Sequence, residues 1–553
     1  MTRSRALNAS LLVVGALLLC NLPVTAQDNP SPAPIANRPV AFGISAPLRD
    51  LAKLPPPPQW GLHLANPVHR VPKRPAGKAV DPVEQSAPGA PSNFSLGVNV
   101  VGVGNGFPGY SVDVAPPDTQ MAAGDTQLIQ WVNLSYAVFD KSGNALTPAI
   151  PGNVLWTNLG GACASANDGD IVVLFDRAAH RWLLTQPVFE GPPYYTCLAV
   201  STSSDALGTY YLYQFPQGTL FPDYPKWGTW SNGYYQNSNL FNGNNFAGPK
   251  SCAYNRTKIL AGDNTAEQIC FTLTASEDTL QWADIDSPTQ PPAGQDAFAI
   301  GSVGDVDNSH LSLYSMHPVF SNPSQSTITG SGNSQMITIP TFTPACGAND
   351  YSDACVPQKG VTDMVDSLGG FLMYRFAYWE DPPLISVKAT PPKPLPSQHW
   401  YISQDVQASG GNVGVRWYEF TAPIKSVPVT SISLFQSGTF APDSNYRWMA
   451  SMTRDKVDDV LIGYSESSAN MYPSIAITGR VSTDPLGTLE NEIIVVSGTG
   501  SQVDTANRWG DYSGMRIDPV DNCTFWYTTE YYMVTTTFDW STQIASAKFS
   551  NCN

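Results

Sequence analysis

Three times in this chain a cationic side chain stands directly before a tryptophan: Lys226 in DYPKWGTW (223–230), Arg447 in SNYRWMASM (444–452) and Arg508 in ANRWGDYSGM (506–515). Each pair sits where a run of strand-forming residues begins, so cation and indole turn to opposite faces. If the three strand starts converge, Lys226, Arg447 and Arg508 form a cluster able to receive a carboxylate or other anion, while Trp227, Trp448 and Trp509 pack behind it. Asp223 and Asp511 lie close to two of these cations. They either line the same site or neutralise it, and in the second case the motif is structural.

Carboxylates supply the other candidate chemistry. Asp118 and Asp170 precede two further strand starts, and Glu530 lies in TTEYY beside Tyr531 and Tyr532. Paired carboxylates serve glycoside hydrolysis, their separation deciding between retention and inversion. Neighbours on a strand face opposite sides, which aligns Glu530 with Tyr532 and not with Tyr531. The candidate catalytic residues are therefore Asp118, Asp170, Glu530 and Tyr532, and the candidate ligand-binding residues are Lys226, Arg447, Arg508, Asp223 and Asp511. Other chemistries lack their signatures. The six histidines form no HExxH, GSVGDV has no phosphate-loop lysine, and no GxSxG is present. No cofactor is expected and no metal site is assigned. NDGD (167–170) and GDVDN (304–308) space carboxylates as calcium loops do, but neither completes such a loop and both read as Asx turns, with calcium as the alternative.

These residues need an architecture to bring them together. Arg3 and Arg5, the apolar run LLVVGALLLC and VTA before Gln27 mark residues 1–26 as a signal peptide. A lipoprotein alternative through Cys20 meets the bulky Leu19 where a small residue is usual. No later apolar stretch is long enough to span a bilayer, so the mature chain is expected to be secreted, periplasmic or extracellular. Its eight cysteines, Cys163, Cys197, Cys252, Cys270, Cys346, Cys355, Cys523 and Cys552, are even in number and contain no CxxC. Disulfides between sequence neighbours are the simplest expectation, with Cys523–Cys552 the most specific pair.

Fifteen of the 65 residues from 28 to 92 are proline and no hydrophobic period is sustained, so residues 27–92 are expected to form a disordered, Pro-rich linker. Beyond residue 80 the chain carries 20 Lys/Arg against 43 Asp/Glu. That balance excludes nucleic acid and an anionic membrane surface as partners and leaves a carbohydrate or a cell-surface protein.

From residue 93 to 553 strands dominate, rich in Val, Ile, Tyr, Phe, Trp and Thr and broken by Gly, Pro, Asn and Asp. No helix of four turns is signalled. Internal echoes favour an all-β repeat architecture, a β-propeller. SSDALGTYY (203–211) and STDPLGTLE (482–490) repeat a turn in which Asp205 and Asp484 accept backbone N–H bonds and Gly208 and Gly487 supply positive φ.

These two turns resemble the Asp boxes of the sialidase and BNR-repeat propellers, with two residues instead of one between Asp and Gly and no aromatic after Gly487. More broadly, PPDTQMAAGDTQLIQWVN, DRAAHRWLLTQ, APDSNYRWMAS and RWGDYSGMRIDPVDNCTFWYTTEYY resemble exported bacterial propeller-like proteins of unassigned activity. The strand runs partition into inner strands near 119–124, 170–174, 224–230, 280–285, 369–374, 446–452 and 511–517. That is seven blades, with the six of sialidases as the alternative because 280–440 is irregular. IASAKF is expected to close the ring against 96–101, removing exposed sheet edges. Sialidases hold a carboxylate with three arginines and use a tyrosine activated by glutamate. Here only two of the three cations are arginine and the Arg-Ile-Pro segment is absent, which argues against sialidase activity itself. The expected function is a secreted ligand-binding module for carbohydrate or a surface partner. The alternative is a sialidase-like glycoside hydrolase or other carbohydrate-active enzyme acting on acidic glycans.

Overall fold

The β-branched and aromatic runs pair with their sequence neighbours in antiparallel meanders, the pattern that short polar hairpins permit. The computed structural model describes residues 32–54, 63–64, 80–303, 308–330, 336–346, 354–381, 397–423, 428–503 and 507–553. The signal peptide expected over 1–26 lies outside them.

Array A runs Gln120–Ala123, Gln127–Val132, Ser135–Asp140, Ile150–Pro151. Array B runs Val172–Asp176, Arg181–Val188, Tyr194–Ser201, Tyr210–Gly218, and array C runs Phe221–Thr229, Tyr234–Asn242, Asn245–Tyr254, Gln268–Thr272. A ten-stranded sheet then contains two meanders. The first, D, begins Glu277–Ile285, Ala297–Val303, His310–His317, and the second, E, runs Phe376–Glu380, Ser397–Gln407, Val413–Pro423, Ser433–Phe440. Their first strands pair in parallel, Ala283 opposite Phe376. Array F runs Tyr446–Arg454, Val460–Ser468, Met471–Arg480, Ile493–Val496, and array G runs Gly514–Ile517, Thr524–Tyr532, Trp540–Phe549.

The first strand of each array lies against the first strand of the next, from A to G and back to A, so the arrays are blades of a β-propeller. The inner strands approach closely: a Cβ on Gly228 of array C would stand 2.3 Å from the Ala283 carbonyl oxygen of array D. Phe94–Val101 is the outer strand of array G, with Val100 opposite Ile544 and Leu96 opposite Ala547, so the ring closes with N-terminal chain on C-terminal chain, as expected.

Two expectations need correction. The Pro-rich stretch is not wholly a disordered linker. Ile35–Asn37 extends array C, Ala41–Ile44 extends array B, and Glu84–Gln85 pairs in parallel with the outer strand of array E. Each is a short apolar or extended piece between prolines, which excuses it from a core but not from an open sheet edge. The inner strand of array E is Phe376–Glu380, beyond the 369–374 expected, because Leu368 has positive φ and Gly370 a φ of 92°, and regular pairing resumes only afterwards.

Four disulfides join sequence neighbours: Cys163–Cys197, Cys252–Cys270, Cys346–Cys355 and Cys523–Cys552. The Asp205 and Asp484 turns both connect the third and fourth strands of their arrays, and both aspartates accept backbone N–H bonds, from Leu207 at 3.0 Å and Val481 at 3.0 Å. Gly487 has the expected positive φ of 78°, whereas Gly208 does not and closes its turn with a bond to the Asp205 carbonyl.

Candidate functional site

The inner strands share an entry geometry that gathers charged residues at one end of the axis. Asp118, Asp170, Tyr224, Thr279 and Met449 all have φ near +50° at the start of an inner strand. This left-handed bend is costly for side-chain-bearing residues and least so for Asp and Asn. Side chains from neighbouring elements hold the bent backbone. Asn133 Oδ1 accepts from Asp170 N (3.0 Å), Asn239 Oδ1 from Thr279 N (2.9 Å), and Asp405 Oδ2 from Met449 N (2.8 Å).

At this mouth Asp118, Asp170, Asp223, Asp366, Asp511 and Glu530 surround Lys226 and Arg508. Asp118 accepts from Asp511 N (2.7 Å) and from Asn133 Nδ2 (2.6 Å), and Glu530 accepts from Gly510 N. Asp366 accepts from Trp509 N at 3.1 Å. The Arg508 guanidinium pairs with Asp511 at 2.6 Å and reaches Asp366 at 3.5 Å. Lys226 is fully buried; its Nζ has no hydrogen-bond partner among the described residues and lies 3.3 Å from the ring centroids of Tyr224 and Tyr512. Those rings are fixed by their hydroxyls, which donate to the Asp511 and Pro225 carbonyls at 3.0 Å each. Asp170 is the half-buried member of the group; Asp118, Asp366 and Glu530 are each 1% exposed.

Crowding sets the protonation. Burial, then the Asp511 charge, pushes Asp118 up to about 7 against the opposing pull of Arg508. Burial pushes Asp366 up to about 8, Arg508 again opposing. Burial raises Asp170 and Glu530 well above the ordinary carboxylate range, and nearby carboxylates add to both. Burial also drives the Lys226 ammonium well below its ordinary value, outweighing the surrounding acids. The buried carboxyls of the mouth thus hold their protons to higher pH than ordinary carboxylates do.

Farther along the axis a second buried network fills the ring. Arg375 pairs with Asp284 (2.8 Å) and with both oxygens of Asp286 (2.5 and 2.6 Å), and Arg516 pairs with Asp284 at 2.6 Å. Tyr374 donates to the Trp227 carbonyl at 3.1 Å. This network ties the inner strands of arrays D, E and G to one another.

The sequence-derived residues separate accordingly. Asp118, Asp170, Asp223, Lys226, Arg508, Asp511 and Glu530 meet at the mouth. Arg447 does not join them: its side chain is fully buried among Asp443 (2.8 Å), Glu466 (2.9 Å) and Glu492 (2.6 Å) on array F. Repeated cation-Trp spelling hides this difference, because array F alone offers three local acids to the guanidinium. Tyr532 packs its ring 5.8 Å from Trp509, and Trp448 and Trp509 pack 5.3 Å apart as core residues. NDGD has its groups engaged in backbone bonds: Asn167 to the Leu134 carbonyl, Asp168 from Phe189 N and Asp170 from Tyr224 N. GDVDN lies outside the described residues except for Asn308.

Sequence reasoning missed Asp366, Asn133, Tyr224 and Tyr512. The available signal was an aspartate at or just ahead of the start of an inner strand, at 118, 170, 223 and 278, which sets those positions apart from the general acidity; Asp366, ten residues before Phe376, carries no such signal.

No family model matches the chain, and no curated protein matches it. Among solved structures it is similar to the alpha-L-arabinanase of Penicillium chrysogenum (9% identity, TM-score 0.35, 71% of this chain and 100% of that one). It is also similar to a subtype N10 neuraminidase-like protein of a little yellow-shouldered bat strain from Guatemala (10% identity, TM-score 0.32, 66% and 95%) and to an endo-arabinase of Bacteroides thetaiotaomicron (11% identity, TM-score 0.22, 59% and 92%). At such identity and overlap these likenesses say nothing about what this chain binds.

Proposed function

We propose that the chain is an exported seven-bladed β-propeller that binds a neutral carbohydrate at its axial mouth. Division of the ten-stranded sheet at the parallel pairing of its two inner strands supports seven blades. Four disulfides support an oxidising, extracytoplasmic location.

One observation carries the ligand class. Both cations of the mouth are already engaged, Arg508 by Asp511 and Asp366 and Lys226 by its aromatic cage, so carboxyls remain in excess. Carboxyls, protonated or ionised, exchange hydrogen bonds with the hydroxyls of a neutral sugar, whereas an acidic sugar needs a cation to pair with and both cations here are engaged. The neutral class is therefore preferred to the anionic ligand that a free cation cluster would receive. A carboxyl raised by burial is also what a glycosidase uses as its general acid. Yet Asp118, Asp366 and Glu530 are buried and accept backbone N–H bonds, which favours binding over turnover.

The test is retention of the mature protein on neutral and acidic polysaccharides, with released reducing ends measured in parallel. Retention on a neutral glycan, weakened at least tenfold by Asp170→Asn and accompanied by no product, is the expected outcome, the tenfold loss being about 1.4 kcal/mol. Preference for acidic glycans overturns the ligand class, and released product overturns the binding-module reading.

A further inference from the structure

The far ends of the inner strands repeat a device that is incomplete in one blade. Asp176, Asp286, Asp381, Asp455 and Asp518 end or immediately follow the inner strands of arrays B, D, E, F and G. Four of these carboxylates have a cationic partner. Asp176 pairs with Arg256 (2.6 Å), Asp286 with Arg375 (2.5 Å), Asp381 with Arg454 (3.0 Å), and Asp518 with Lys141.

Asp455 departs from the pattern. It is fully buried, and its Oδ1 caps the hairpin by accepting from Val457 N (2.9 Å) and Asp459 N (3.1 Å). Directly opposite in the hairpin, where Asp455 N donates to the Asp459 carbonyl (2.9 Å), stands a second fully buried carboxylate, Asp459, whose Oδ1 accepts from Ser482 N at 2.8 Å. The Oδ2 atoms of both are buried, and neither has a hydrogen-bond partner among the described residues. The corresponding cross-strand residue is Arg181 opposite Asp176 and Ser397 opposite Asp381. Like charges directly opposite on a hairpin repel, and burial magnifies the effect. The nearest guanidinium, Arg454, already pairs with Asp381 and Asp458, and Lys456 Nζ donates to the Asn553 carbonyl at 2.7 Å.

We propose that Asp455 and Asp459 hold a divalent cation of the calcium class through their two unpartnered Oδ2 oxygens, at the hairpin between the first two strands of array F. Hard carboxylate oxygens from a turn, completed by an amide or carbonyl oxygen and water, form the donor set calcium prefers. Asn551, whose side-chain amide lies against Asp459, offers its oxygen to the ion once the amide turns over. The ion would take the place of the arginine or lysine that partners the equivalent aspartate in arrays B, D, E and G. It would also join array F to the C-terminal segment beside Cys523–Cys552.

Calorimetry of the full-length protein, freed of divalent ions with EDTA and titrated with calcium chloride, tests the site. One saturable site is expected, with Kd on the order of 10⁻⁴–10⁻³ M, the range of extracellular calcium modules. Asp459→Asn should weaken it at least tenfold while the variant keeps the wild-type circular dichroism spectrum. Asp458→Asn, which alters a carboxylate already paired with Arg454, should leave it unchanged. Asp455→Asn provides a second loss variant unless removal of its turn-capping charge prevents folding, and in that case Asp459→Asn decides alone. No saturable heat at calcium about tenfold above that range, or a site that survives Asp459→Asn, overturns the proposal.

Discussion

Lys226 lies between Tyr224 and Tyr512, its Nζ 3.3 Å from each ring centroid and wholly shielded from solvent. A group caged in this way faces the protein's own aromatic rings and is out of reach of an incoming anion. Lys226→Met keeps the length of the stem and removes the cost of burying a charge. It should leave the thermal midpoint unchanged or higher, as replacement of buried charged groups by apolar ones often does. Glycan affinity should change by less than about tenfold. Thermal melting and the glycan retention assay check both points; collapse of binding in a folded variant would restore Lys226 as a ligand-binding cation.

The raised carboxyls at the mouth give folding a pH dependence of defined sign. Asp118, pushed up to about 7 by burial and Asp511, and Asp366, pushed up to about 8 by burial, keep protons in the folded state that the unfolded chain releases near pH 4. Between those limits the folded state binds more protons, so the contribution of these groups to stability falls as pH rises and levels off above the folded values. Each carboxyl contributes up to about 1.4 kcal/mol per pH unit within its window. Asp366→Asn should remove one such slope. In urea unfolding, the variant should gain on the wild type as pH rises across the window, whereas a pH-independent difference would show that Asp366 does not titrate in this way.

Arg447 presents the opposite case, a cation that three acids hold in place. Truncation to alanine leaves Glu466 and Glu492 without their counter-charge in a buried setting. The expected loss is about 3–5 kcal/mol, typical of breaking one side of a buried pair. Denaturant titration measures it. Because Arg447 pairs with Asp443, Glu466 and Glu492 and with none of the mouth carboxyls, the folded fraction should retain its glycan affinity.

The sequence made the scaffold more legible than the site. Period-two strands, polar hairpins and the Asp205 and Asp484 turns are local signals, and each acts within one array, so the all-β class, most inner strands and the pairing of neighbouring cysteines could be read from short stretches. The mouth is assembled from residues as distant in sequence as Asp118 and Glu530, joined by bonds such as that from Asp511 N to Asp118, 393 positions away, and no local pattern states how its cations are partnered. Lys226, Arg447 and Arg508 share a spelling but differ in what the neighbouring strands supply: tyrosine rings to the first, three acids to the second, and Asp511 with Asp366 to the third. The early strands at Ile35–Asn37 and Ala41–Ile44 were obscured for a similar reason. Their proline-rich composition describes the segment alone, while their partners are open sheet edges far along the chain.

Closure of the ring depends on one such distant pairing. Phe94–Val101 covers the edge of Trp540–Phe549, and its start is pinned by Asn93, whose N–H donates to Glu490 at 2.7 Å. Without it, a ten-residue strand with Ile544, Ala545 and Ala547 buried in the native ring would present unpaired backbone groups to solvent, the arrangement that templates aggregation. A chain beginning at Gly102 should therefore leave the monomer peak in size-exclusion chromatography for higher-order species. A chain beginning at Pro32, which retains every described strand, should remain monomeric to the same extent as the full-length protein. A synthetic peptide spanning 93–101 should return part of the truncated chain to the monomer peak by adding itself as the missing strand. If the chain starting at Gly102 stays monomeric and melts as the full-length protein does, the outer strand of array G is dispensable, and closure rests instead on contacts between the inner strands of arrays G and A.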